Sequence, residues 1–233
     1  MESRIILITG TRKGIGKELS EYFLSKGWMV VGCSRGGASI KDENYYHYRL
    51  DVSDERLVVE MVKNVANKFG KIDVLINNAG IASMNHILTT PLETVKRIFS
   101  TNFYGTFLFL REVAKVMMKQ KKGRIINITT VARPLSLEGE SIYAASKSAV
   151  ETLTKIAARE LAPFGITVNA IGPTPTPTDL IKNVPENKIN RLLEMQAIRR
   201  FGNFDDIASL IEFFMDEKSN FITGQIIYLG GVG

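Results

Sequence analysis

Arg4-Ile5-Ile6-Leu7-Ile8-Thr9-Gly10-Thr11-Arg12-Lys13-Gly14-Ile15-Gly16 is the most informative segment of this chain. Its apolar run is typical of a strand that is covered on both faces, and a helix is predicted to begin at Gly14. Between the two, the glycines allow a tight turn that brings backbone N–H groups and the positive end of the helix dipole to a diphosphate. The glycine spacing differs from the common G-x-G-x-x-G. The segment therefore predicts a strand, a phosphate-binding turn and a helix.

Apolar, β-branched runs alternate with helical periods along the rest of the chain. Strands are predicted at Arg4 to Thr9, Met29 to Ser34, Tyr46 to Asp51, Val74 to Asn77, Arg124 to Thr129, Thr167 to Ile171 and Gln225 to Leu229. Helices are predicted at Gly14 to Lys26, Asp54 to Phe69, Leu92 to Met118, Ser141 to Ala162 and Phe204 to Asp216. This alternation implies parallel strands with helical crossovers on both faces. We predict an α/β fold, a doubly wound parallel seven-stranded sheet of the Rossmann type, as one domain over residues 1–233.

Bulk composition excludes several classes of protein. The chain of 233 residues is 45% hydrophobic and 23% charged, which is ordinary for a globular protein. Its one cysteine, Cys33, excludes an internal disulfide and favours a reducing cytoplasm. The long uncharged stretches, Val74 to Leu92 and Leu161 to Thr178, are broken by Asn, Gly, Thr and Pro, so no membrane span is predicted.

The net charge of +6 raises the question of a nucleic-acid partner. The densest basic run, Lys119 to Arg124, lies where a predicted helix ends, and lysines there complement the helix dipole. No nucleic-acid partner is predicted. His47 and His86 have no cysteines or paired acids at ligand spacing, so no metal site is predicted either.

Tyr143 and Lys147 are candidates for acid–base chemistry. Residues four apart share a helix face, so the phenol and the ammonium would project side by side. A phenol has a pKa near about 10, and a fixed cation lowers it, which would make Tyr143 a better proton donor. Taken alone, such a pair is more often two ordinary surface residues.

The order of further motifs resembles that of the short-chain dehydrogenase/reductase family, in its compact single-domain branch, over the whole chain. The matching segments are Thr9 to Gly16, Asp51-Val52, Asn77-Asn78-Ala79-Gly80, Asn102, Thr130 with Tyr143 and Lys147, Asn169 with Pro173 and Thr178, and Thr223-Gly224-Gln225 with Gly230-Gly231. The resemblance implies hydride exchange between a nicotinamide cofactor and a carbonyl or secondary alcohol. It implies four catalytic residues, Asn102, Thr130, Tyr143 and Lys147.

The roles that the resemblance implies are distinct. Tyr143 donates the proton, and Thr130 orients the substrate oxygen by a hydrogen bond. Lys147 acidifies the phenol and holds the nicotinamide ribose, and Asn102 holds a water in a proton path from Lys147. The implied cofactor-binding residues are Gly10, Thr11, Arg12, Lys13, Gly14, Ile15, Gly16, Ser34, Arg35, Asp51, Val52, Asn78, Ala79, Gly80, Tyr143, Lys147, Pro173, Thr176 and Thr178.

The end of the second strand indicates which cofactor is used. Proteins that bind NAD usually place an acid there, whereas a ribose 2′-phosphate needs cations. Ser34 and Arg35 occupy this place, and Lys13 and Arg12 in the glycine-rich turn add positive charge. We therefore predict NADP(H).

Two residues depart from the family pattern. Thr130 stands where serine is usual, and its methyl group and stiffer χ1 bear on how the hydroxyl is aimed. Two alternatives stay open: Thr129 is the partner of Tyr143 instead, or Thr130 is only a residue at the end of a strand. Thr174 follows Pro173, where relatives often have glycine.

The substrate is the least determined part of the prediction. In the family, Asp179 to Arg200 corresponds to a lid, and its apolar residues here suggest an apolar pocket. The chain is most similar to the 3-oxoacyl-acyl carrier protein reductases, in which Lys121, Lys122 and Arg124 would meet an acidic carrier. However, Phe164 stands where those reductases tend to carry a basic residue.

Other functions stay open. Steroid, sugar, quinone or secondary-metabolite ketones are alternative substrates, and an NADP-binding regulatory protein with little turnover is a different class of function. The resemblance also implies a homotetramer or a homodimer.

Overall fold

The computed structural model describes residues 4–176 and 186–232. Within them, parallel strands form a seven-stranded sheet in the order β3-β2-β1-β4-β5-β6-β7. The strands are β1 Ile5–Thr9, β2 Met29–Ser34, β3 Tyr45–Arg49, β4 Val74–Asn77, β5 Gly123–Ile128, β6 Ile166–Gly172 and β7 Ile226–Tyr228. The predicted doubly wound, Rossmann-type α/β fold is confirmed.

Helices cover both faces of this sheet. They are α1 Gly14–Ser25, α2 Glu55–Phe69, α3 Leu92–Phe99, α4 Gly105–Gln120, α5 Ala132–Leu135, α6 Ser141–Leu161, α7 Glu186–Glu194 and α8 Phe204–Met215. Short 3₁₀ turns lie at Ile87–Thr89, Ala162–Phe164 and Glu217–Ser219. One face of the sheet packs on α2, α4 and α6, and the other packs on α1 and α8. None of the helices in the described ranges combines the length and the apolarity that a membrane crossing needs.

The two faces explain why the strands read as continuous apolar runs. Alternate residues of β1 enter opposite cores: Leu7 packs toward α2 and α4, and Ile8 packs toward α1 and α8. Burying a side chain of this size stabilises the fold by roughly 1.5–3 kcal/mol. Cys33 is buried in the first of these cores.

The predicted helix from Leu92 to Met118 is interrupted. A π-helical turn, Ser100–Tyr104, separates α3 from α4 and contains Asn102. The Asn102 side chain accepts a hydrogen bond from Ile81 N at 2.8 Å and donates to Ile81 O at 2.9 Å. The π-helical turn is therefore bonded to the segment that follows β4. Such single-turn π-bulges inside helices are often found at functional sites.

Candidate active site

A cleft of about 320 Å³ opens at the carboxyl ends of the strands. In doubly wound sheets this is where ligands bind, next to the point where the strand order reverses, here between β1 and β4. Predicted site residues that line the cleft are Ile15, Asn78, Gly80, Thr130, Tyr143, Lys147, Pro173 and Thr176. Apolar side chains complete it, among them Met84, Leu135 and Leu137, together with Ile189 and Leu192 of α7 and the following Met195. The expectation of an apolar pocket is confirmed for the described part of the segment from 179 to 200.

Tyr143 and Lys147 lie one turn apart on α6, and both line this cleft. The Lys147 side chain is buried, and its ammonium donates to the Ile128 carbonyl at 2.7 Å. Burial lowers the pKa of Lys147 to about 8, because the ammonium loses its hydration. The cation at Lys147 is therefore held by the end of β5 and loses its proton more easily than an exposed lysine.

The phenol of Tyr143 does not have the lowered pKa that the sequence predicted. Burial raises the pKa of Tyr143 to about 12, and a hydrogen bond with the Thr130 hydroxyl acts in the opposite direction. The prediction from helix spacing is wrong here because it left out the loss of phenolate hydration and the nearby Glu140 carboxylate. Both raise the pKa, and together they outweigh the hydrogen bond with Thr130. The phenol consequently holds its proton at neutral pH, which is the state from which a proton donor begins.

The two neighbouring threonines have different partners. The Thr130 hydroxyl contacts the Tyr143 phenol and also accepts from Ala132 N at 3.2 Å. The Thr129 hydroxyl donates instead to Glu151 at 2.7 Å. The structure therefore favours Thr130 over Thr129 as the partner of the tyrosine.

Asn102 lies behind the cleft rather than in its lining. Besides the two bonds to Ile81, its amide donates to Ser146 Oγ at 3.0 Å, one residue before Lys147. A Cβ atom placed on Gly80 would lie 3.3 Å from Lys147 Nζ and 3.4 Å from Asn102 Oδ1. A side chain at position 80 would therefore crowd both the Lys147 ammonium and the Asn102 amide.

The glycine-rich turn is built for close packing on one side and open space on the other. A Cβ on Gly16 would lie 2.4 Å from the Gly10 carbonyl oxygen, so a side chain there would collide with the backbone. Asn78 closes the turn by donating from its amide to Thr9 O at 2.9 Å. Gly14, by contrast, has φ +57°, and no atom lies within 4 Å of the place that a Cβ would take. Space above the first turn of α1 is therefore free for a phosphate group.

The residues predicted to bind the 2′-phosphate lie at or close to the end of β2. Ser34 Oγ donates to Gly36 O at 3.0 Å, and a Cβ on Gly36 would lie 2.6 Å from a guanidinium nitrogen of Arg12. Arg35 is exposed, and its carbonyl accepts from Arg49 Nε at 3.1 Å. The structure brings Arg12, predicted from the glycine-rich turn, to the segment that carries Ser34 and Arg35.

A series of hydrogen-bonded side chains, which the sequence did not indicate, connects the segment 34–37 to the glycine-rich turn. The Tyr45 hydroxyl lies 2.7 Å from Thr11 Oγ1 and 3.1 Å from His47 Nδ1. His47 Nε2 lies 3.0 Å from Gly36 O and 3.2 Å from Ser34 Oγ. His47, for which only a metal site was considered and rejected, thus links the glycine-rich turn to the end of β2 through Tyr45.

The other predicted cofactor residues lie along the same edge of the sheet. Lys13 is the residue before α1, and Val52 is buried against Gly105. Asp51 accepts from Ser53 N at 2.9 Å, and Ala79 N donates to Thr9 Oγ1 at 2.9 Å. The remaining prediction, Thr178, lies outside the described residues.

Two buried polar atoms in the cleft have no hydrogen-bond partner among the described residues, Glu140 Oε2 and Thr174 Oγ1. An orphaned acceptor and an orphaned hydroxyl fit a cleft that binds a polar cofactor and substrate. Burial raises the pKa of Glu140, and the Lys188 ammonium acts against this rise. Sequence reasoning missed Glu140, although its position three residues before Tyr143 on a helix start was a usable signal.

Comparisons with known proteins agree with this geometry. The sequence profile described as enoyl-(acyl carrier protein) reductase matches residues 10–231. The 3-oxoacyl-[acyl-carrier-protein] reductase FabG of Staphylococcus epidermidis is 33% identical over 97% of this chain and 96% of its own length. The FabG of Salmonella typhimurium is 31% identical over 99% and 97%.

Two solved structures are also similar to this chain over nearly its whole length. ElxO with NADP bound has a TM-score of 0.89, 33% identity and 97% coverage of each chain. The ligand-free aldohexose dehydrogenase of Thermoplasma acidophilum has a TM-score of 0.89 and 27% identity, over 99% of this chain and 94% of its own. With these relatives matching it along nearly its whole length, the chain belongs to the short-chain dehydrogenase/reductase family.

Proposed function

We propose that this protein is an NADPH-dependent oxidoreductase that exchanges a hydride with a carbonyl or secondary alcohol, with a 3-oxoacyl thioester as substrate. The observation that carries the proposal is the meeting of the Tyr143 phenol, the Thr130 hydroxyl and the Lys147 ammonium in one apolar cleft beside the glycine-rich turn. When bound, the nicotinamide cofactor supplies the hydride. The chain supplies the proton and the orientation of the substrate.

Each of these side chains has a separate role in carbonyl reduction. The substrate oxygen is placed against Tyr143 and Thr130, and it gains negative charge as the carbonyl is reduced. Tyr143 then donates its proton to this oxygen, while the Thr130 hydroxyl donates a hydrogen bond that keeps it aligned. The Lys147 ammonium stabilises the phenolate that remains. Apolar walls exclude water, which strengthens these interactions.

Asn102 stays a predicted member of the site. Its side chain is occupied by Ile81 and Ser146. A proton path from Lys147 would need a bound water. We propose that main-chain groups of the π-helical turn hold this water, rather than the Asn102 amide.

The choice of NADP(H) rests on charge at the end of β2. Arg12 approaches the segment 34–37, which contains Arg35 and carries no Asp or Glu. The solved structure of the relative ElxO has NADP bound. A ribose 2′-phosphate would be neutralised here, whereas an NAD-specific acid is missing.

Arg35→Ala tests the cofactor assignment. We expect the variant to raise KM for NADPH by about 10-fold to 100-fold, since a charge-assisted hydrogen bond contributes about 1.5–3 kcal/mol, and to leave KM for NADH within about twofold. Steady-state kinetics with both cofactors measures this, and Lys41→Ala in the following loop serves as the control for a general loss of positive charge. Equal losses with NADPH and NADH would refute the assignment.

The thioester substrate is supported by the named relatives and by the apolar cleft. The docking surface for an acyl carrier needs a correction, because Arg124 is 5% exposed and bonds to Asn220, so it does not face a carrier. Lys122 is exposed but paired with Glu217, and Lys121 is exposed at the end of α4. Lys121 and Lys122 are the remaining candidates for contact with an acidic carrier.

A second substrate class is favoured by Glu140. Its orphaned oxygen lies one turn from Tyr143, where it can accept a hydrogen bond from a donor group near the reacting carbonyl. Hydroxylated ketones and sugars carry such donors, and the aldohexose dehydrogenase is one structural neighbour. Plain alkyl ketones would leave this acceptor unsatisfied, which is costly in a buried site.

One panel separates these functions. NADPH oxidation is followed with 3-oxohexanoyl-N-acetylcysteamine, with 1-hydroxy-2-butanone and with its isostere 3-pentanone. The thioester proposal predicts the highest kcat/KM for the first compound. The hydroxyketone candidate predicts at least about a tenfold preference for 1-hydroxy-2-butanone over 3-pentanone that Glu140→Leu abolishes. Tight NADPH binding without turnover of any compound would contradict both and favour the regulatory protein.

We further propose that the chain works as a cytoplasmic homotetramer or homodimer. Exposed apolar side chains on α4 and α6, such as Phe107 and Ile156, support association of these helices with another copy.

A further inference from the structure

The helix that carries the catalytic pair also carries a buried carboxylate that takes no part in the proton transfer. Tyr143, Lys147 and Glu151 follow each other at intervals of four residues on α6, so they share one face. Glu151 is 4% exposed. A charge is rarely buried so deeply unless it is paired and hydrogen-bonded.

Glu151 satisfies its charge with three partners from three other parts of the fold. Thr129, directly after β5, donates its hydroxyl to Glu151 Oε1 at 2.7 Å. Tyr228 of β7 donates to the same oxygen at 2.7 Å. Arg133 of α5 pairs its Nε with Oε2 at 3.2 Å. One carboxylate therefore ties α6 to β5, β7 and α5.

The approach of Tyr228 depends on a glycine. Its ring lies across β6 at Gly172, where an added Cβ would be 2.3 Å from Tyr228 Cδ1. Burial and the neighbouring Glu151 carboxylate raise the pKa of Tyr228, so this hydroxyl remains a donor. Tyr228 and Glu151 are 77 positions apart in sequence, so only the folded sheet brings them together.

These contacts act on the catalytic residues through the backbone. Thr129 is bonded directly to Thr130, whose hydroxyl contacts the Tyr143 phenol. The next residue, Val131, donates from its N–H to Pro173 O at 3.3 Å, so the same segment also holds the start of the loop that lines the cleft. Arg133 fixes α5, which contributes Ala132 and Leu135 to the cleft wall.

We propose that Glu151 is a positioning residue that holds the Thr130 hydroxyl against the Tyr143 phenol and holds the α5 wall of the cleft. The proposal rests on the proposed function, because Thr130 and Tyr143 are catalytic residues only within it. A purely structural role for Glu151 predicts loss of stability without a selective loss of catalysis. A positioning role predicts a fall in kcat with cofactor binding preserved.

Glu151→Gln tests this directly, because the amide keeps the size of the side chain and removes its charge toward Arg133. We expect kcat to fall about 10-fold to 100-fold, the effect of a misplacement of about 1 Å, with KM for NADPH within about twofold. Thr129→Val removes only the link to β5, and we expect a fall of the same order. The control is Glu112→Gln, which removes a second buried carboxylate, paired with Arg111 and Lys115 on α4 far from the cleft.

Two results distinguish failure of the positioning role from failure of the proposed function. A kcat within about twofold of wild type in both Glu151→Gln and Thr129→Val, with melting temperatures lowered as in Glu112→Gln, overturns the proposal. If the wild type reduces no carbonyl compound, the proposed function fails, and crystal structures of wild type and Glu151→Gln decide the positioning role. Separation of the Thr130 and Tyr143 hydroxyl groups in the variant supports it, and an unchanged contact overturns it.

Discussion

Tyr143→Phe is expected to lower kcat for carbonyl reduction by a factor of about 10²–10⁴, the usual contribution of a positioned general acid. The substitution removes only the phenol oxygen and keeps the ring that lines the cleft. Because the proton donor is lost while the glycine-rich turn is untouched, NADPH should bind with nearly wild-type affinity. Steady-state NADPH oxidation gives kcat, and a fluorescence titration gives the dissociation constant.

The matched control is Tyr22→Phe, which makes the same chemical change on α1. Tyr22 packs on Phe23 and Phe204 and under the Lys26 ammonium, away from the cleft. Its kcat should stay within about twofold of wild type. If Tyr143→Phe kept most of the wild-type kcat, another group would have to donate the proton, and the role assigned to the phenol would be refuted.

Lys147→Met is expected to lower kcat by about 10²–10³, the cost of removing one group that stabilises charge in the transition state. Methionine keeps an unbranched side chain in the buried site but removes the ammonium that we propose stabilises the phenolate. It also leaves the Ile128 carbonyl without its donor. Both kcat and KM for NADPH should change, since the family resemblance also places Lys147 at the nicotinamide ribose.

The pH profile distinguishes this effect from a loss of packing. Burial gives Lys147 a pKa of about 8, so the ammonium is present below that pH and is lost as pH rises through it. In wild type, kcat/KM for NADPH should therefore decline above about pH 8. Lys147→Met should lack this decline, and Lys155→Met, two turns along α6 on its exposed side, should retain it. A wild-type profile that rises through pH 8 would contradict the cationic role.

Sequence patterns predicted the architecture because it depends on local periodicity. The bounds of β2 and β4 agree with the predicted strands, and the glycine-rich turn lies between β1 and α1 as its order in sequence requires. Tyr143 and Lys147 share a face because a spacing of four does so on any helix. These features need no knowledge of distant contacts.

Features that depend on contacts across the fold were missed. The helical period of apolar residues continues from Leu92 to Met118, so the sequence gives no sign of the π-helical turn. The turn is accompanied by bonds between Asn102 and Ile81, which only the folded chain shows. The pKa of Tyr143 depends on burial, which helix spacing does not report. Arg124 was placed in a basic run at the start of a predicted strand, and its burial there was not predicted.

The contacts of Glu151 could not be predicted from the sequence either. Its position four residues after Lys147 was visible in the sequence, but its partners Tyr228 and Arg133 come from elements that only the folded sheet brings together. Thr130 illustrates a partial success. The family resemblance suggested the pair of Thr130 and Tyr143, and the choice between Thr129 and Thr130 needed the direction of each hydroxyl.

Transfer of deuterium from NADPH labelled at nicotinamide C4 is the sharpest test of hydride exchange with Tyr143 as the proton donor. The label is prepared on each face of the ring in turn, and the wild-type enzyme is incubated with the panel substrate that it reduces fastest. We expect one of the two labelled cofactors to place deuterium on the carbinol carbon of the product. In Tyr143→Phe, we expect the rate of this transfer to fall nearly to zero. Product without deuterium from either cofactor, or equal transfer by wild type and Tyr143→Phe, would show that the reaction or its proton donor is wrongly assigned.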